Sequence, residues 1–147
     1  MLEQQPAAHG HVVVGFDGSP GAVAAAKWGV FEAALRGVAL HVVYVWQYPG
    51  LAFPDQDPRL PGPDVLPIQL EGSLTAALAD CPRILIRRHT VEGAPAESLI
   101  QASATADLLV VGRRRHSLNG LALGSVSRRC AAHARCPVVT VPPPDAG

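Results

Sequence analysis

Short apolar runs and stretches with helical periodicity alternate along the chain. The apolar runs are rich in valine and leucine, and they predict five strands, over residues 11–16, 38–46, 83–91, 107–111 and 137–141. The stretches between them predict four helices, over residues 20–36, 65–79, 95–105 and 125–134. Several of the apolar runs are uninterrupted, which is typical of strands buried on both faces of a parallel sheet.

Local signals support the first two helices. Ser19 is a favourable N-cap, Pro20 suits a first helical turn, and Gly37 is a favourable terminator. Apolar side chains recur between these positions at helical spacing, namely Ala24, Trp28, Phe31 and Leu35. In the second helix, leucines lie four residues apart, namely Leu66, Leu70, Leu74 and Leu78.

The order of the elements predicts the fold class. Strands that alternate with helices pair in parallel through right-handed crossovers, so we expect an α/β domain with an open, doubly wound, five-stranded sheet. Such sheets bind ligands beyond the carboxyl ends of the strands, where the strand order reverses. If strands one and four are neighbours, the turn at Asp17 faces the segment from Gly112 to Ser125 across this crevice.

A single domain is predicted over residues 11–142, with a flexible tail at 1–10 and another at 143–147. The segment at 47–64 contains five prolines and is predicted to be a loop. A loop of this length is either functional or mobile, and the sequence does not decide whether it closes over the crevice.

Charge and cysteine usage exclude several classes of protein. The 12 basic and 12 acidic residues balance, so no overall field attracts nucleic acid or an anionic membrane. No apolar run is long enough to cross a bilayer, and the first residues lack the pattern of a secretory signal. The three cysteines show no C-x-x-C spacing, which disfavours disulfides and zinc. We therefore expect a cytoplasmic protein without nucleic-acid or membrane partners.

The segment from Asp107 to Ser127 has the features of an anion site. A buried strand ends at Gly112, an arginine-rich connection follows, and Gly124 and Ser125 open a helix. Free backbone N–H groups and the helix dipole favour negative charge at such a helix N-terminus. Glycines in an ordinary turn and an Asx turn at Asp17 are the simpler structural alternatives.

Three sequence stretches resemble the universal stress protein family: VVVGFDGSP, GAPAESLIQASATADLLVVG and GSVSRRCAAHARCPVVTVP. The resemblance extends from about His11 to Pro142. It implies a sheet of strand order 3-2-1-4-5 and a homodimer formed through the last strand, Pro137–Val141. Some members of the family bind ATP or a related nucleotide, and others do not.

The resemblance also implies a nucleotide site. Nucleotide-binding members carry a glycine, two residues, a second glycine, nine residues, and then glycine with serine or threonine. Here the second glycine is replaced by Arg115, and eight residues separate Arg115 from Gly124, so the motif is degenerate. Asp17 and Val45 match positions that face the adenine base. The phosphates are expected at Gly112, Arg113, Arg115, Gly124, Ser125 and Val126.

The expected ligand is ATP, with any Mg²⁺ carried by its phosphates and with cyclic AMP as an alternative. The chain lacks the sequences of a phosphate-loop NTPase and of a dinucleotide-binding fold. No convincing general base is present, so we expect a binding protein with at most weak ATPase activity rather than an enzyme. The alternative is a nucleotide-free member of the family that works as a dimeric interaction module.

Overall fold

The computed structural model describes residues 10–47, 64–113 and 124–144. Most of the predicted loop at 47–64 lies outside these ranges, as does Arg115. Within them the elements follow in the order β1 (His11–Gly15), α1 (Pro20–Arg36), β2 (Ala39–Trp46), α2 (Ile68–Ala77), β3 (Ile86–Glu92), α3 (Pro95–Ser103), β4 (Leu108–Gly112), α4 (Ser125–His133) and β5 (Val138–Val141). Among the described residues, no helix combines the length and apolar character needed to span a membrane.

The five strands form one parallel sheet in the order β3-β2-β1-β4-β5. This confirms the predicted α/β class and the strand order that the resemblance implied. At the centre of the sheet, Val13 pairs with His41 on β2 and with Leu109 on β4. The strand order reverses between β1 and β4, so the carboxyl ends of these two strands mark the position where such sheets bind ligands.

The sheet separates two apolar layers. Helices α1 and α2 cover one face, where Val12, Val14 and Leu74 belong to one buried cluster. Helices α3 and α4 cover the other face, where Leu99 and Cys130 pack with residues of the central strands. Alternate residues of β1 therefore contribute to opposite layers, as the period of two in a strand requires.

The periodicity that predicts α1 does not identify its buried face. The side chains that pack on the sheet are mostly small, namely Gly21, Ala22, Ala25, Ala26, Gly29, Val30 and Ala33. A Cβ atom on Gly29 would lie 3.2 Å from Leu40 Cδ1, so small residues allow the helix to approach the sheet closely. As a result, the larger Trp28, Phe31 and Leu35 face outward.

Most boundaries lie within two residues of the prediction, and the starts of α2 and β3 differ by three, for local reasons. Helix α2 begins at Ile68, because Pro67 occupies the N-cap with a ψ of 148° and residues 65–66 remain outside the helix. Strand β3 begins at Ile86 rather than at residue 83, because its ladder with β2 starts at the pair Leu40–Ile86. Ile84 and Leu85 extend the apolar run of the sequence beyond the strand itself, and Leu85 is exposed.

Candidate functional site

A cleft of about 560 Å³ opens at the carboxyl edge of the sheet, where β1 and β4 end. All predicted site residues within the described ranges line it, namely Asp17, Val45, Gly112, Arg113, Gly124, Ser125 and Val126. A second, more open cleft of about 750 Å³ lies between the end of α2 and β3. It is far from the point where the strand order reverses, so the smaller cleft is the candidate site.

The turn after β1 brings Asp17 to the rim of the cleft. Asp17 Oδ1 accepts a hydrogen bond from Ser19 N at 2.9 Å, which forms the Asx turn that the sequence allowed. Ser19 then caps α1, since its Oγ accepts a hydrogen bond from Ala22 N at 3.2 Å. The turn thus fixes the Asp17 carboxylate through one oxygen, and Oδ2 remains as an acceptor at an exposed position.

Gly112 is required by packing at the other side of the cleft. A Cβ atom at this position would lie 2.3 Å from the carbonyl carbon of Gly21 and 2.6 Å from Ala22 N. A Cβ atom on Gly21 would in turn lie 2.8 Å from the carbonyl oxygen of Arg113. The end of β4 and the first turn of α1 are therefore in direct backbone contact. This contact explains the glycine at 112 without reference to a ligand.

Helix α4 begins at the floor of the cleft. Gly124 occupies its N-cap with extended backbone (φ −66°, ψ 169°), so Ser125, Val126 and Ser127 form the first turn. The N–H groups of a first turn have no acceptor inside their own helix. The buried hydroxyl of Ser127 donates to the carbonyl oxygen of Gly112 at 3.2 Å, so this side chain ties α4 to β4.

Three helix N-termini meet at the cleft. Ser19, Gly21 and Ala22 contribute the start of α1, residues 124–127 contribute the start of α4, and Pro95 contributes the start of α3. Each helix places about half a positive elementary charge at its N-terminus. Arg113 adds a full cationic charge at the end of β4. This part of the cleft therefore favours an anion.

The remaining wall is apolar, and sequence reasoning missed most of it. Its side chains come from the ends of the central strands and from α3, namely Phe16, Val43, Val111, Pro95 and Leu99. The Gly93-Ala94-Pro95 start of α3 was a usable signal, because it places a third helix N-terminus at the same edge of the sheet. The apolar strand residues carried no such signal, since core and cleft valines look alike in sequence.

The cleft therefore combines an anion-favouring end with an apolar slot. Its volume lies within the 300–1,000 Å³ typical of small-molecule sites. Asp17 is the only carboxylate among the described residues of its lining. Nor do the described residues contain a group of three or more His, Cys, Asp or Glu side chains that could hold a metal ion.

Comparisons with known proteins agree on one family. Residues 9–142 match the model of the universal stress protein family. The chain is 38% identical over 138 residues to the universal stress protein Rv2005c of Mycobacterium tuberculosis, which covers 89% of the chain and 45% of that relative. It is 34% identical over 140 residues to Rv1996 of the same organism, covering 89% of the chain and 43% of the relative. The chain thus spans less than half the length of these relatives.

Solved structures show the same fold. A universal stress protein from Archaeoglobus fulgidus superposes with a TM-score of 0.66 at 24% identity, over 88% of the chain and 96% of the other protein. A universal stress protein in complex with cAMP gives a TM-score of 0.65 at 24% identity, over 89% and 94% of the two chains. A universal stress protein from A. fulgidus in complex with dAMP gives a TM-score of 0.59 at 21% identity, over 88% and 95% of the two chains.

Proposed function

The chain belongs to the universal stress protein family, and we propose that it is an adenine-nucleotide-binding module that acts in the stress response. ATP is the proposed ligand, and cyclic AMP is the alternative. The observation that carries the proposal is the convergence of three helix N-termini and Arg113 beside an apolar slot that ends at Asp17. A purine nucleotide would complement this cleft, because its base is a flat ring with hydrogen-bonding groups and its phosphate end is anionic.

The base would occupy the apolar end of the cleft. Val45, Val43 and Leu99 offer apolar contacts to a flat ring. The exocyclic amino group of adenine is a hydrogen-bond donor, and Asp17 Oδ2 is an acceptor within the same cleft. Guanine carries a carbonyl oxygen at that ring position, which would repel the carboxylate. The proposal therefore includes a preference for adenine over guanine.

The phosphates would occupy the other end, against the first turn of α4 and Arg113. N–H groups of Ser125 and Val126 are donors without intrahelical acceptors, and the guanidinium of Arg113 can bind phosphate in a bidentate manner. Mg²⁺ would arrive bound to the phosphates, since the described lining supplies one carboxylate. That carboxylate is held in the Asx turn, so we propose binding rather than hydrolysis, with any ATPase activity weak.

The degenerate glycine motif weakens the phosphate end without removing it. Loss of one hydrogen bond to a charged group costs about 1.5–3 kcal/mol, or roughly tenfold or more in affinity. The structural neighbours in complex with cAMP and dAMP support an adenine nucleotide as the class of ligand. Together these considerations favour retained but weaker binding of the triphosphate.

We further propose a cytoplasmic homodimer that pairs through β5. This strand is an edge of the sheet, and its residues Val138–Val141 are only partly buried. An edge strand presents unpaired backbone groups to a second strand. Pairing of this kind leaves the cleft open, because the cleft lies at the ends of β1 and β4.

A nucleotide-free interaction module remains the second candidate. The close contact between Gly112 and Gly21 favours it, because packing alone accounts for the glycine that begins the motif. In that case the dimer surface would carry the function.

Extraction of the purified protein, followed by mass spectrometry of the released small molecules, separates the two candidates. We expect adenine nucleotide from the wild type, and less of it from Arg113→Ala, because that variant loses a phosphate contact. Arg83→Ala is the matched control, since Arg83 lines the other cleft and should leave the nucleotide content unchanged. Absence of nucleotide from the wild-type protein, together with no uptake at millimolar ATP, would favour the nucleotide-free module.

A further inference from the structure

The outward face of α1 carries a continuous row of apolar side chains. Ala24, Trp28, Phe31 and Leu35 follow one another at intervals of four, three and four residues. The exposed fractions of the last three are 37%, 52% and 84%. We call these four residues the α1 stripe. The spacing is that of the a and d positions of a heptad, which form the contact seam of paired helices.

The α1 stripe is not a by-product of core packing. The opposite face of the helix consists of glycine, alanine and valine and makes the contact with the sheet. The large apolar residues of this helix thus face away from the core. The exposed apolar area of the α1 stripe is on the order of 300 Å², comparable to the largest apolar patch of a typical monomer, and such patches are often functional.

Charged residues flank the α1 stripe on its two sides. With Trp28 and Leu35 as a positions, Lys27 is a g position and Glu32 is an e position. A g residue of one parallel helix lies beside the e residue of its partner five positions further along. Lys27 and Glu32 are five positions apart and carry opposite charges. Glu32 also forms an ion pair with Arg36 of its own helix, with 2.8 Å between Arg36 Nε and Glu32 Oε2, so Lys27 of a partner helix would join this pair as a second cation.

We propose that α1 pairs in parallel, through the α1 stripe, with α1 of a second copy of this chain. Two symmetric contacts between Lys27 and Glu32 would then border the seam. Antiparallel pairing places g beside g and e beside e, and it would not bring Lys27 to Glu32. Charge complementarity at this position therefore favours an identical helix as the occupant and the parallel direction, while the apolar α1 stripe would supply most of the contact.

This contact would be modest in strength and distinct from pairing through β5. A typical stable interface buries about 800 Å² on each partner, and the α1 stripe supplies less than half of that. Residues that flank the 17-residue helix would have to contribute the remaining buried area of the interface. We therefore expect association that depends on protein concentration.

Parallel pairing has a consequence for the candidate site. Ser19, Gly21 and Ala22, at the start of α1, line the cleft. Two α1 helices that run in the same direction would place the two clefts at the same end of the pair.

Disulfide trapping tests the direction of pairing directly. In a parallel pair, Leu35 of one copy faces Leu35 of the other, so Leu35→Cys should form a disulfide-linked dimer under mild oxidation. In an antiparallel pair, these two positions would be separated by roughly 16 Å along the helix axis. In an antiparallel pair, Leu35 of one copy would face Ala24 of the other, so a mixture of Leu35→Cys and Ala24→Cys would cross-link instead. The wild type and Leu85→Cys, an exposed apolar position elsewhere, report the background.

Sedimentation velocity over a range of protein concentrations measures the strength of the contact. Phe31→Glu should weaken self-association by about tenfold or more, because it places a charge in the centre of the seam. Phe31 is exposed in the monomer, and circular dichroism will verify that the variant folds. Trapping of Leu35→Cys that Phe31→Glu abolishes supports the proposal. Background-level trapping, trapping only in the mixture, or unchanged sedimentation of Phe31→Glu would overturn it.

Discussion

The contact between Gly112 and Gly21 makes Gly112→Ala a sharp test of how the site is assembled. The added methyl group would lie 2.3 Å from the carbonyl carbon of Gly21, 2.4 Å from its oxygen and 2.6 Å from Ala22 N. All three are backbone atoms, so no side chain can rotate away, and α1 itself must shift. The substitution should therefore move the helix whose N-terminus borders the cleft.

Overpacking of this kind destabilises a protein by typically 1–3 kcal/mol, and we expect Gly112→Ala to fall at the upper end, about 2–3 kcal/mol. For a chain of this size each kcal/mol corresponds to about 2–4 °C, so Tm should fall by roughly 4–12 °C. Urea denaturation followed by circular dichroism gives the free energy of unfolding directly.

Gly72→Ala is the matched control. Gly72 lies in α2, and no atom lies within 4 Å of a Cβ atom added there. The same substitution should stabilise this helix by about 0.5–1 kcal/mol, because alanine has the higher helix propensity. Neutral substitutions change the free energy of unfolding by less than ~0.5 kcal/mol. If the free energy of unfolding of Gly112→Ala differs from that of the wild type by no more than this, the packing explanation for Gly112 is wrong.

Three further predictions concern groups outside the cleft. Burial, and then the neighbouring His11, His89 and Arg87, lower the pKa of His41 to about 4, below the 6.5 of an unfolded chain. The unfolded state therefore binds more protons between these values, and the free energy of unfolding should fall as pH drops from 6.5 to 4, by on the order of 1–3 kcal/mol after allowance for solvent contact. His41→Leu should flatten this dependence relative to the wild type, and equal slopes for both proteins would refute it. Burial raises the pKa of the Cys130 thiol to about 11. At pH 8, iodoacetamide should therefore modify this thiol about 100-fold more slowly in the folded protein than in the urea-unfolded protein, as measured by mass spectrometry of its peptide. Equal rates in both conditions would contradict its burial. Leu74 is fully buried in the layer of α1 and α2, and Leu74→Ala should lower the free energy of unfolding by about 2–5 kcal/mol in urea titrations, whereas a loss below ~1 kcal/mol would place it outside the core.

The stacked histidines explain why the His41 prediction is specific. His11, His41 and His89 lie on three adjacent strands, with ring centroids 4.1 Å and 5.0 Å apart. His41 Nδ1 and His89 Nε2 are 3.0 Å apart and share a hydrogen bond whose direction depends on the tautomers. Protonation of His41 would leave both of its ring nitrogens as donors, so its Nδ1 could no longer accept a hydrogen bond from His89.

Most of the fold could be predicted because its signals are local. The terminators were explicit: Gly37 ends α1 with φ 70°, in the left-handed region, and its N–H bonds to carbonyl groups of the last turn. The leucines at fourfold spacing, which run from Leu66 before α2 to Leu78 at its C-cap, also identified the face that packs on the core. The strand order came from the resemblance to the family, because periodicity carries no information on which strands are neighbours.

Other features depend on tertiary contacts and could not be predicted. The expected meeting of the Asp17 turn with the segment after Gly112 did not extend to a backbone contact between Gly21 and Gly112, because no local pattern indicates how closely α1 approaches β4. Nor could the periodicity of α1 distinguish its core face from its outward face, because small residues and large residues recur at the same spacing. The role of Asp17 shows an intermediate case, because its Asx turn was a foreseeable alternative and its contact with a base stays a prediction.

Calorimetric titration of the purified protein with ATP and with GTP is the most direct test of the proposed nucleotide site. The wild type should bind ATP more tightly than GTP, because Asp17 accepts a hydrogen bond from the adenine amino group. Asp17→Asn retains an oxygen for the bond with Ser19 N and replaces the other carboxylate oxygen by a donor, so it should lose about tenfold or more of this preference without unfolding the turn. Binding of neither nucleotide by the wild type, or an ATP preference that Asp17→Asn leaves unchanged, would contradict the account.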